Sequence, residues 1–129
     1  MEFARVTLNL PNATLLLEVA DTEAKQERGL MYRTTLAPHT GMIFILPHDD
    51  VVAFWMKNTL IPLDMVFVGA DGSIRLIAQN VPASAAQTPE DNVARVAGFA
   101  KYVLELPAGE ATADGLQPGV AIAGLSKLR

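Results

Sequence analysis

Two charged side chains stand out because of what surrounds them. Lys57 sits in Phe54-Trp55-Met56-Lys57-Asn58-Thr59, and Asp64 follows in Ile61-Pro62-Leu63-Asp64. In a strand, alternation puts Trp55 and Lys57 on one face and Phe54 and Met56 on the other. If the strands on either side of Asn58–Pro62 pair as a hairpin, the Lys57 ammonium and the Asp64 carboxylate come within reach of each other. A charge beside so much apolar surface is costly unless it is paired and hydrogen-bonded. Two uses of the pair follow. It is either an ion pair that pins the hairpin, with Asn58 and Thr59 capping turn backbone, or it lines a pocket against Trp55.

Arg28 raises the same choice. It lies in Glu27-Arg28-Gly29-Leu30-Met31-Tyr32-Arg33. On a helix Ala24 and Arg28 share a stripe, and Met31 joins it if the helix outlasts Gly29. Arg28 would then bury its aliphatic stem against the core. Its head would tie the helix end to a loop carbonyl or to Asp64, or hold a carboxylate or phosphate in two-pronged fashion. Arg33 reads as a solvated loop residue. His39 and His48-Asp49-Asp50 are the remaining candidates for metal binding or histidine catalysis. Both lie in turns, and their spacing matches no zinc motif, so no metal and no cofactor are expected. Ser73, Ser84 and Ser126 sit in no nucleophile elbow, and there is neither a P-loop nor a dinucleotide-binding glycine pattern.

These residues need elements to position them. Arg5–Leu10 and Thr14–Val19 alternate apolar with polar around Pro11-Asn12, which predicts a hairpin. Asp21–Arg28 predicts a short helix, capped by Asp21 or Thr22 and stopped by Gly29. Gly41–Leu46 reads as a strand buried on both faces, Pro47–Asp50 as a turn, and Val51–Met56 as the next strand. Leu63–Val68 and Ile74–Ala78 flank a Gly69-Ala70-Asp71-Gly72 turn. Pro82–Gly98 has no period and predicts a long loop. Lys101–Leu106 predicts a late strand, and Val120–Ala123 a short last one. The expectation is a mainly β, single-domain antiparallel sandwich or partly open barrel, with one short helix near residues 22–29.

Bulk properties narrow the function. The chain has 129 residues, enough for one domain spanning 1–129, and 50% hydrophobic content lets it hold a core. A net charge of −4 lacks the clustered cations that a nucleic-acid surface needs. With no cysteine, thiolate metal sites and cysteine nucleophiles are excluded. No apolar run reaches the roughly 20 residues of a membrane span. Met1–Arg5 reads as no signal peptide.

With these stretches in place, the sequence resembles the bacterial and archaeal family called domain of unknown function 192. Glu27–Arg33, Gly41–Phe44, Phe54–Thr59 with Pro62-Leu63-Asp64, and Tyr102–Gly109 carry the resemblance. It implies a mainly β single-domain fold and no established activity, so no catalytic residue is carried over. Members often bear a signal sequence or lipoprotein anchor, which implies work outside the cytoplasm. By similarity the residues to watch are Arg28, Met31, Arg33, Trp55, Lys57, Asn58 and Asp64. The favoured expectation is a non-catalytic binding module for a small polar or anionic ligand or a partner chain. The competing one is a small hydrolase or lyase in which Asp64 is the acid or base and Lys57 the stabilising charge.

Overall fold

The computed structural model describes residues 1–128. β1 (Arg5–Asn9) and β2 (Thr14–Ala20) form the expected antiparallel hairpin. The helix α1 (Glu23–Arg28) starts where the sequence places it: the Thr22 hydroxyl accepts the Lys25 backbone N–H at 3.2 Å. It stops at Gly29, whose φ of +47° is open to glycine at little cost. α1 then serves as the crossover between β2 and β3 (Thr40–Trp55), which run parallel.

β4 (Leu63–Val68), β5 (Ile74–Val81) and β6 (Arg95–Pro107) complete a mixed, six-stranded sheet in the order β1-β2-β3-β6-β4-β5. The mainly β expectation holds, and the finer arrangement is one open sheet covered on both faces. A second helix, α2 (Glu110–Ala113), follows β6 directly. No helix among the described residues is long and apolar enough to cross a membrane.

Three local expectations need correction. The Pro47–Asp50 turn does not start a new partner strand. β3 leaves its ladder between Ile45, opposite Tyr102, and Asp50, opposite Ala100, and returns to the same neighbour. Pro47 is tolerated in that excursion because no ladder bond is asked of its nitrogen. Asp49 secures it by accepting from Arg75 of β5, both contacts at 3.1 Å. The Pro82–Gly98 loop is shorter than expected, because Arg95–Phe99 already belongs to β6. Val120–Ala123 contributes only one bridge, Ala121 to Ser73.

A further correction concerns Lys57 and Asp64. β3 and β4 do not pair, because β6 inserts between them. β4 is buried throughout, so its alternate residues feed two separate cores. Val66 and Val68 join Ile43, Tyr102 and Leu104 on one face, which Leu116, Ile122 and Leu125 cover from the C-terminal segment. Met65 and Phe67 join Met42, Phe44 and Val103 on the other, beneath Leu30, Met56 and Val93.

Asp64 points to the first of these faces, with Leu106 beside it in register. It is fully buried and has no basic partner among the described residues. Its oxygens instead accept three backbone N–H groups: Asn80 at 2.8 Å, Gly109 at 3.0 Å and Ala111 at 3.0 Å. One carboxylate thus ties β4 to the end of β5 and to the start of α2. Replacing Asp64 with alanine orphans all three donors, so Asp64→Ala should lose roughly 3–5 kcal/mol in denaturant unfolding. A loss below ~1 kcal/mol would show that Asp64 does not hold these elements.

Candidate functional site

The second face carries the cleft. α1 is pinned over the sheet by Gln26, whose side-chain amide donates to the Ala20 carbonyl at 3.1 Å and the Ile45 carbonyl at 2.9 Å. The helix buries none of its own residues, so Gln26 rather than the Ala24–Arg28 stripe faces the sheet. β2 pairs with β3 only as far as Ala20 opposite Phe44. Beyond that point β3 has β6 on one side and, among the described residues, no strand on the other. The gap between α1 and this free edge is a cleft of about 300 Å³.

Its floor is apolar: Phe44, Phe54, Leu46, Val52 and Met31. Phe44 and Phe54 meet edge to face at 4.9 Å, and Phe54 meets Phe67 the same way at 6.0 Å. Both side-chain directions of β3 reach the cleft because its wall is a strand edge. Trp55 and Lys57 form the rim. Lys57 Nζ lies 4.9 Å from the Trp55 ring centroid. Arg95, the cross-strand partner of Trp55, places its guanidinium carbon 4.6 Å from the same centroid. Each cation gains from the ring quadrupole, and neither has a carboxylate partner among the described residues.

The loops at the rim are clasped together. Asn58 takes the left-handed conformation (φ 55°) that its short polar side chain tolerates. Its carbonyl accepts the Tyr32 backbone N–H at 2.8 Å, and its amide donates to the Tyr32 hydroxyl at 3.1 Å. Arg28 lies over the Tyr32 ring at 5.2 Å, with its head in solvent. Of the seven residues singled out from sequence, Met31, Trp55 and Lys57 line the cleft, while Arg28 and Asn58 frame it. Arg33 is not a free loop residue: it grips both carboxylate oxygens of Glu18 on β2. Asp64 lies on the other face of the sheet.

The sequence did not point to Glu105. This residue of β6 shares its side with Val103 and is only 5% exposed. Its backbone passes so close to β3 that a Cβ on Gly41 would lie 2.2 Å from the Glu105 carbonyl oxygen, so only glycine fits there. The Glu105 side chain borders a void of about 40 Å³, which shares Met31, Phe44, Phe54 and Trp55 with the cleft. It makes no side-chain hydrogen bond to the other described residues. Burial pushes its pKa up to about 8, so it is largely a neutral carboxylic acid at pH 7. The available signal was Val103: a strand that is apolar on both faces leaves no solvent side for Glu105.

An open mixed sheet with an apolar cleft on one side and a cationic, aromatic rim above it defines a single-sheet, mainly β domain. The chain belongs to the domain of unknown function 192 (DUF192) family, described as an uncharacterized ACR, whose model matches residues 5–124. A protein of Sinorhizobium meliloti 1021 described as a "putative transcription regulator" is 37% identical, with a TM-score of 0.80 over 96% of each chain. A protein of unknown function from Novosphingobium aromaticivorans DSM 12444 is 36% identical, with a TM-score of 0.74 over 95% of this chain and 85% of that one. No curated protein matches the chain.

Glu105 makes a pH dependence predictable. Its folded pKa of about 8 lies above its ordinary value near 4.5. Between those limits the folded protein keeps a proton that the unfolded chain has released, so the stability due to Glu105 falls as pH rises. Glu105→Gln removes the titration. The variant should gain on the parent from pH 4.5 to 8, by an amount on the order of 4 kcal/mol, in urea unfolding at a series of pH values. A stability difference independent of pH would contradict the buried neutral acid.

Proposed function

We propose that the protein is a non-catalytic binding module whose cleft takes a small ligand with an apolar body and one anionic group. The observation that carries this is the rim: two cations without carboxylate partners flank one exposed indole, directly above an apolar floor. Cations committed to architecture are normally paired, as Arg33 and Arg75 are here. The cleft volume sits at the lower end of the roughly 300–1,000 Å³ typical of ligand sites, which favours a compact occupant. The free edge of β3 adds unpaired backbone N–H and C=O groups, so the carboxylate end of a partner chain offers the same chemistry.

Glu105 supports a second contact at the inner end. A neutral carboxylic acid bordering the inner void can donate a hydrogen bond to a ligand acceptor. A hydrolase or lyase reading would rest on this acid, since the Asp64 carboxylate is committed to three backbone N–H groups on the far face. The description of one relative as a transcription regulator gains little support from this chain. Its net charge is −4, and the two α-helices among the described residues span six and four residues, short for reading a DNA groove.

The test uses the one tryptophan of the chain, Trp55, as reporter. Phenylacetate should change its fluorescence saturably and bind roughly fivefold more tightly than the neutral isostere phenylacetamide, about 1 kcal/mol for a partly exposed charge contact. Lys57→Met should erase most of that preference. Equal binding of acid and amide to the parent, or saturable binding of neither, would overturn the proposal.

A further inference from the structure

On the other side of the sheet from the cleft, the fold brings a histidine to two acids that lie 71 residues or more further along the chain. His39 precedes β3, and Glu110 and Asp114 lie one helical turn apart on α2 and its end. The His39 backbone is held from two directions. Its N–H donates to Glu110 Oε1 at 2.9 Å, and its carbonyl accepts the Leu16 N–H at 2.9 Å. With φ at 61°, the backbone is in the left-handed region, which costs a non-glycine residue energy and fixes where the ring projects. The ring then stands with Nδ1 at 2.9 Å from Glu110 Oε2 and 3.5 Å from Asp114 Oδ1.

Two features set this cluster apart from an ordinary surface histidine beside acids. Both carboxyl groups are buried, Glu110 at 8% and Asp114 at 2% exposure. Glu110 Oε2 and Asp114 Oδ2 have no hydrogen-bond partner among the described residues, although both are out of reach of solvent. Orphaned carboxylate oxygens at such depth are costly, and the 2.9 Å approach of the ring nitrogen does not meet hydrogen-bond geometry for Oε2. A cation that accepts a lone pair from each of the three side chains offsets that cost at Glu110 Oε2 and neutralises both carboxylates.

We propose that His39, Glu110 and Asp114 bind a divalent first-row transition-metal cation such as Zn²⁺. One atom from each residue can be chosen so that all three lie within 4.8 Å of one another. Donors about 2.0–2.2 Å from a tetrahedral ion sit roughly 3.3 Å apart, and the two separations from the ring nitrogen, 2.9 and 3.5 Å, fall either side of that. One imidazole with two carboxylates suits zinc, manganese or iron(II) better than an all-oxygen calcium site. The His39 side chain is 55% exposed, so an ion can enter from solvent and keep a water as a further ligand. The site is independent of the cleft: α2 packs through Ala111 on the core that the cleft does not touch.

The experiment is isothermal titration of Zn²⁺ into the tag-free, chelator-stripped full chain, with a thermal melt on the same samples. One ion should bind per chain with micromolar or tighter affinity and raise the melting midpoint. His39→Ala removes an exposed ring and should leave the metal-free fold intact while weakening Zn²⁺ at least ~tenfold. The other histidine, His48, pairs only with exposed Asp50, and His48→Ala should leave Zn²⁺ affinity unchanged. No saturable binding to the parent, or binding that persists undiminished in His39→Ala, would overturn the proposal. The cluster would then be two buried acids sharing a proton beside a surface histidine.

Discussion

The fold is organised around a carboxylate, Asp64, that has no cationic partner among the described residues. Asp64 lies near the start of β4, next to the edge strand β5, and satisfies its oxygens with backbone N–H groups from β5 and from both sides of the α2 start. A charge taken out of water is tolerated only when its lone pairs are so occupied. That demand fixes where β5 ends and where the chain turns after β6. It also holds the C-terminal segment, with Leu116, Ile122 and Leu125, against one face of the sheet. The other face is thereby released from the task of joining the two halves of the sheet.

On that released face, polar groups are left in uneconomical states. Among the described residues, Glu105 is buried without a side-chain hydrogen bond, and Lys57 and Arg95 rest on Trp55 without an anion. Arg33, Arg75 and Asp64, by contrast, are fully engaged. Functional sites commonly sacrifice stability in this way, whereas architectural polar groups do not. The contrast between satisfied and unsatisfied groups, more than cleft shape, is what supports the proposed binding role of the cleft. The clasp between Asn58 and Tyr32 ties the two rim loops together.

Local features were legible in the sequence and non-local ones were not. The β1–β2 hairpin and α1 follow from alternation, a Thr22 cap and a Gly29 stop, all within a few residues of chain. Trp55 and Lys57 stood out because a charge among apolar residues is unusual at any scale. Their partnership with Asp64 was misjudged, since seven residues of separation suggest a hairpin and nothing local reveals that β6 inserts between the strands. Pro47 was misread for a related reason: a proline closing an apolar run signals a turn, yet the chain returned to the same neighbour. The contact of His39 with Glu110 spans 71 residues, beyond any motif spacing. Glu105 was hidden by alternation itself, which assigns every second residue of a one-faced strand to solvent. Here both faces are covered.

The central claim is that the cleft on the Trp55 face recognises the apolar, anionic ligand, whereas the Asp64 carboxylate is architectural. The most direct measurement is an NMR titration of the methyl- and indole-labelled protein with phenylacetate. The account predicts saturable shifts at the Trp55 indole and the Met31 methyl, with Leu116, Ile122 and Leu125 on the far face unmoved. Shifts centred on the far face, or no saturable shift at Trp55 and Met31, would contradict it.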